Sequence, residues 1–304
     1  MFTPSLTLKD DLAGLCRAFA PWADAVLKRR WRLVAELSRL LARTGFRFEV
    51  DENAFMQNRL YAAVVLQHQS RITCSLQQIT QDRQSWSRLQ QRCSGFWLPD
   101  ASETMCIVRG DEIEAALHWP HAPLQTVDLA FQERLRATGF TGLVGCGTGL
   151  VVIDRLIDGD EPVRNHSDDF HLFTVHTDLV ADRPVKTAEA IVHENGHNLL
   201  NLFLEANQIV LATEELAHFS PWTQSLRHDR GIVHAFFVFA LVVQYYVRLR
   251  ELGGPEEGLT RYIELQMNRL ADTAPLVRRI LARYPTALAT LVEHVYSQLP
   301  APVR

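Results

Sequence analysis

Apolar residues recur at three- and four-residue intervals from about Leu6 to Arg92, the spacing that gathers them on one face of an α-helix. APWADAVLKRRWRLVAELSRLLART and NAFMQNRLYAAVVLQHQSRI show it most clearly. The period then changes. MCIVRG and EIEAALHW are short β-type runs around Gly110-Asp111 and predict a hairpin or a longer turn. LVVIDRLI and HLFTVHTDLV predict further strands, with a helix over LAFQERLRATG ahead of them. Helical spacing returns after Pro184, a residue suited to a first helical turn, in TAEAIVHENGHNLLNLFLEA. Another apolar helix is predicted from Gly231 to Leu249, ended by Gly253-Gly254-Pro255, and two or three more fill the C-terminal part. The expected fold is therefore mainly α with a small β insert (α+β). A helical region over residues 1–100 packs as one unit with an α+β region over residues 101–304.

Composition narrows the class. The chain has 304 residues, 47% hydrophobic and 22% charged, which suits a globular protein with a sizeable core. A net charge of −4 argues against nucleic acid as a partner, since phosphate binding needs a basic surface. Cysteines stand at 16, 74, 93, 106 and 146, an odd set without paired spacing. That pattern points to reduced thiols and a cytoplasmic setting. MFTPSLTLKDDLAGL lacks the basic start and long apolar run of a signal peptide. GIVHAFFVFALVVQYYV is short for a membrane span and contains His234 and Gln244, so a core helix is expected there.

Chemistry concentrates in HENGHNLL, which fits His-Glu-x-x-His. On a helix, His193 and His197 lie one above the other and can chelate one ion, with Glu194 beside the open position. The apolar residues around them, Ile191, Val192, Leu199 and Leu200 among them, bury this helix, and buried imidazoles need partners. The helical core thus carries a metal site. The third ligand is open between Glu214 or Glu215, on what reads as the next helix, and His234. His234 is the stronger candidate, because it sits in an apolar run where an unpartnered imidazole is costly. Glu189, four residues before His193, either orients an imidazole or is a solvated helix charge.

Between the two apolar helices lies SPWTQSLRHDRGIVH. With AEAIVHENGHNLL, it resembles the HEXXH-motif family of peptide-modifying proteins that act on ribosomally made peptide natural products. The matching residues are Ala188-Glu189, Val192, His193, Glu194 and His197, then Ser220-Pro221-Trp222, Arg227, Gly231 and His234. NHSDDFHLF, from Asn165, is similar to the strand region ahead of that family's helix, and the likeness spans about Val151 to Tyr246. The family pattern has Arg where this chain has Thr223, and Pro where it has His228.

The resemblance implies an oxygenase that uses Fe(II) and 2-oxoglutarate to hydroxylate a β-carbon in a peptide. His193, His197 and His234 would hold the iron, leaving Glu194 beside it. Arg227, with Arg230 as the alternative, would meet the 2-oxoglutarate dianion. Ser220 and Trp222 would wall the site. The substrate would be a peptide, a precursor with a leader included, or an amino acid. Two other readings stand beside it: a zinc peptidase in which Glu194 activates metal-bound water, and a non-catalytic peptide-binding protein with a structural metal.

Three other features carry less. LVGCGTGL resembles a methyltransferase cofactor loop but is followed by a β-type run, so a tight turn between strands is expected. On one strand, His171 and His176 would point to opposite faces, and His166 reads equally as a loop residue. Cys146 has no base nearby in sequence to make it a nucleophile.

Overall fold

The structure is a computed structural model that describes residues 12–43, 45–46, 48–78, 106–109, 130–157, 161–167, 171–180, 183–253 and 256–300. It is mainly helical with a small mixed sheet. Helices α1 (Leu12–Arg43), α2 (Glu52–Gln57) and α3 (Arg59–Gln78) come first. Strand β1 (Cys106–Arg109), helices α4 (Ala130–Ala137) and α5 (Thr141–Gly147), and strands β2 (Thr148–Ile157), β3 (Asn165–His166) and β4 (Phe173–Val180) follow. The chain continues with α6 (Pro184–Ala206), β5 (His218–Ser220), β6 (Ser225–Arg227) and α7 (Asp229–Glu251). Two helices, α8 (Glu256–Leu281) and α9 (Thr286–Ser297), complete it. The second run of the expected hairpin, with Gly110-Asp111, lies outside the described residues, as does the end of the first helical stretch.

The main sheet has the order β1-β2-β4-β3. β1 and β4 flank β2 in parallel, with Ile107 and Val175 both opposite Val151, and β3 joins β4 antiparallel. Parallel strands buried on both faces read as continuous apolar runs, which is why LVVI carries no polar alternation. Its residues nevertheless alternate in direction. Leu150 and Val152 pack with α1, α2 and α3, whereas Val151 and Ile153 pack with the α6–α7 layer. α1 contributes to both cores, Leu15, Phe19 and Trp22 to one and Val26, Val34 and Leu41 to the other.

LVGCGTGL is not a tight turn. Residues 141–147 form α5, which runs directly into β2. Its glycines permit close approach instead: a Cβ on Gly149 would lie 2.4 Å from the backbone of Arg59 and Leu60, and one on Gly147 would lie 2.5 Å from Asn195 Oδ1. The chain therefore has no room there for side chains or for a phosphate loop.

α7 is long and apolar enough to cross a bilayer by composition, but it is packed inside the protein. Ile232, Val233, Phe236, Phe237, Val238, Leu241 and Val242 are each at most 1% exposed. At about 1.5–3 kcal/mol per side chain, these seven hold α7 in the core.

Candidate metal centre and its cavity

α6 is anchored to the sheet by polar contacts at positions its apolar face cannot supply. Asn195 Nδ2 donates to the Leu143 carbonyl and its Oδ1 accepts from Thr148 Oγ1. Asn198 donates to the carbonyls of Gly147 and Thr174. These bonds fix the rotation of the helix, and so the direction in which His193, Glu194 and His197 point. Gly196, between the two histidines, does the rest. A Cβ there would lie 3.1 Å from Val238 Cγ2 and 3.3 Å from Leu241 Cδ1, so its absence lets α7 approach closely.

That approach delivers His234. Its Nδ1 lies 3.0 Å from His197 Nδ1, and the two rings stack with centroids 5.3 Å apart. The pair can share one proton. The separation is that of two imidazoles on one ion, about 3.0–3.4 Å, and a turn of the rings would bring both lone pairs onto it. His234 is 6% exposed, and its Nε2 is buried without a hydrogen-bond partner. Burial, reinforced by the charges of His197, Arg230 and His228, holds this imidazole well below its ordinary pKa. Burial likewise pushes His193 down to about 4. Both imidazoles are therefore neutral at working pH, the form a metal requires.

His193, Glu194 and His197 offer one ligand atom each within 4.8 Å of one another. Glu194 is 4% exposed, and burial pushes its carboxyl up to about 7, against the opposing hydrogen bond from Ser167 Oγ at 2.7 Å. The group placed to hold a cation is therefore two imidazoles and a carboxylate; His234 lies outside that group, with its Nδ1 3.0 Å from His197 Nδ1. Imidazole and carboxylate ligation suits iron and zinc alike.

The cluster lines a cavity of about 510 Å³. Arg227 and Arg230 line the same cavity, as do Ser220 and Trp222. Arg227 Nε donates to Thr223 Oγ1 at 3.2 Å, so the residue that departs from the family pattern supports the guanidinium. Arg230 donates to Asn201 Oδ1 at 3.3 Å. His228, the other departure, is the N-cap of α7: its Nδ1 accepts from the Gly231 amide at 2.9 Å. Trp222 stacks on Phe239 with ring planes 7° apart and donates from Nε1 to Gln266, and Phe239 meets His193 edge to face.

Three expectations change. Glu214 and Glu215 are exposed, in irregular chain rather than on a helix, and outside this cavity. Glu189 neither orients a ligand imidazole nor stands free in solvent: it accepts from Lys186, Tyr246 and Tyr262. His171 precedes β4, so the alternation argument never applies to it. His176 and His166 are cross-strand partners with stacked rings, and His166 lines the cavity. Ser167, Asn201 and Phe239 belong to the site without any local sequence pattern to mark them.

No protein-family model matches this chain, and no curated protein matches it. The residues of the motif and their geometry therefore carry the functional argument.

Proposed function

We propose that this protein is an Fe(II)- and 2-oxoglutarate-dependent oxygenase that hydroxylates a carbon, by the resemblance a β-carbon, of a residue in a ribosomally made peptide or of an amino acid. The observation that carries the reading is one cavity whose lining includes His193, His197 and His234 together with the guanidinium groups of Arg227 and Arg230. Guanidinium groups beside the ion favour this reading, because a dicarboxylate cosubstrate needs cations to meet its charge.

When bound, the iron would activate oxygen, with 2-oxoglutarate giving two of the four electrons as it becomes succinate and carbon dioxide and the substrate C–H bond giving the other two as it becomes C–OH, one oxygen atom going to each product. The protein's own contributions follow from its residues. His193, His197 and His234 would hold the ion as neutral ligands, with Glu194 beside it as a further ligand or as an acceptor for a substrate proton. The order of the two arginines changes: Arg227 is exposed, so Arg230, half-buried and held by Asn201, would take one carboxylate of 2-oxoglutarate in two parallel hydrogen bonds, with Arg227 in the same cavity as the alternative. Trp222 and Phe239 wall one side and keep water from the reacting centre.

A zinc peptidase remains the second reading, because Glu194 lies buried in the ligand group with a carboxyl poised near neutrality, the property of a general base. His234 would be the third ligand in that case too, since both downstream glutamates face solvent. A purely structural metal fits less well, as closed four-ligand sites leave no adjoining space of about 510 Å³.

Anaerobic loading with Fe(II), followed by 2-oxoglutarate, oxygen and a ribosomal precursor peptide, tests the proposal by mass spectrometry. Succinate formation with gain of one oxygen atom supports it. Cleavage of the peptide by the zinc-loaded protein, without succinate from the iron-loaded one, would sink it.

A further inference from the structure

A second cavity, of about 440 Å³, adjoins the first, and the two share Asn165, His193 and Phe239 as walls. A chain extending from one to the other must pass the metal-site histidine. Glu189, one helical turn before His193, lines this second space. Its carboxylate accepts hydrogen bonds from the hydroxyls of Tyr246 and Tyr262, contributed by α7 and α8. Two neutral phenols hold the carboxylate in place. Burial and the Glu189 charge push both phenols up from their ordinary pKa, so they stay neutral donors.

The faces of the same tyrosines complete a cation site. Lys186 Nζ lies 2.9 Å from Glu189 Oε2, 5.2 Å from the Tyr262 ring centroid and 5.9 Å from that of Tyr246. A carboxylate flanked by aromatic faces is the arrangement that recognises an ammonium group. Lys186 is the occupant supplied by the chain itself, and it also donates to the Tyr246 hydroxyl at 3.4 Å. Its side chain is 43% exposed, and it places a positive charge in the first turn of α6, where the helix dipole disfavours one. The other charges lining the cavity, Arg183 and Glu161, are opposite in sign and offset each other, leaving Glu189 to set the preference.

We propose that this second cavity is a subsite for a basic side chain of the substrate, a primary ammonium of the lysine type. It displaces Lys186 and takes its place between Glu189, Tyr246 and Tyr262. The subsite gives the proposed oxygenase a substrate class: a peptide with lysine close to the modified residue. The inference rests on that reading only for the peptide, because ammonium recognition needs no metal.

The test uses metal-free protein and two probes, N-acetyl-lysine N-methylamide and its norleucine counterpart. In Lys186→Ala the lysine probe binds at least tenfold more tightly than the norleucine probe by calorimetry, and the difference falls within twofold in Lys186→Ala/Glu189→Gln. Equal binding of the two probes, or a preference that survives in the double variant, overturns the proposal. A second measurement needs no variant. The chain has lysines only at 9, 28 and 186, so the side-chain NMR signal of Lys186 is readily assigned. Saturating lysine probe moves that signal to the position of a solvated lysine in the wild-type protein, and the norleucine probe does not. A Lys186 signal unmoved by the lysine probe overturns the displacement. A protein that passes these tests but makes no succinate refutes the oxygenase and leaves the subsite standing.

Discussion

His234→Leu should raise the stability of the metal-free protein while removing most of its metal affinity. The two effects have separate origins. In the metal-free protein, His234 Nε2 is buried without a partner, a condition that costs about 1–3 kcal/mol. Leucine fills similar space without a polar atom. It gives up the contact with His197, but His197 is only partly buried and can turn to water instead. The net expectation is a gain of about 1–2 kcal/mol. Unfolding entropy of about 2.1 cal/mol/K per residue over 304 residues converts that to a rise in Tm of about 2–3 °C. Metal affinity moves the other way. Four-ligand zinc sites bind with about 10–16 kcal/mol, or roughly 3 kcal/mol per ligand, so losing one ligand weakens binding by about 100-fold. Scanning calorimetry with and without chelator reads the first effect, and competition with a fluorescent zinc chelator reads the second. A metal-free Tm several degrees below wild type would identify His234 as a satisfied core residue. So would a metal affinity within threefold of wild type.

Other residues give independent checks. The Glu194 carboxyl, pushed up to about 7, penalises the metal-free fold as pH rises from the unfolded value near 4.5 and fully above 7. Glu194→Gln should therefore stabilise metal-free protein by as much as about 3 kcal/mol at pH 8 and by almost nothing at pH 4, and denaturant melts at the two values decide it. Gly196→Ala should leave metal-free stability within about 1 kcal/mol, because better helix propensity offsets crowding against Val238 and Leu241. By easing α7 away it should still weaken zinc binding by roughly tenfold, and unchanged affinity would contradict the close-approach argument. Asp229, although desolvated, is held below the ordinary carboxylate range by Arg283, Tyr284 and His218. Its stabilisation is present at neutral pH and disappears as pH falls through its depressed pKa. Asp229→Asn should cost about 1–2 kcal/mol at pH 7, discounted because Arg283 is 56% exposed, with the gap closing below about pH 4 in urea melts. Arg230→Gln should raise the 2-oxoglutarate concentration for half-maximal succinate formation at least tenfold, leaving Fe(II) affinity within twofold.

The parts of this site that sequence revealed are those set by local spacing. Four-residue separation on a helix marked His193 and His197 as a candidate chelating pair, and the apolar run around His234 made an unpartnered imidazole there conspicuous. Pro184 and the flanking periodicity set the bounds of α6 almost to the residue. What stayed hidden depends on contacts between distant segments. The pairing order β1-β2-β4-β3 is not written in any one strand. Gly147 and Gly149 read as a turn because glycine permits turns, whereas here the limit is backbone and side chains from Arg59, Leu60 and Asn195. Glu189 showed only its position one turn from His193. Its partners Tyr246 and Tyr262 stand 57 and 73 residues away, and only the packing of α6 with α7 and α8 turns a helix charge into the wall of a second cavity. Ser167 and Phe239 enter the site in the same way, from a strand edge and from the middle of an apolar helix.

The most direct measurement is an anaerobic titration of the protein with Fe(II) and 2-oxoglutarate, followed by visible absorption. His193, His197 and His234 beside Arg227 and Arg230 in one cavity predict a charge-transfer band that requires both components and saturates at one equivalent of each. The band should be lost in His234→Leu. A wild-type protein that binds Fe(II) but develops no such band with 2-oxoglutarate, and that cleaves peptide when loaded with zinc, would contradict the account and return the site to the hydrolases.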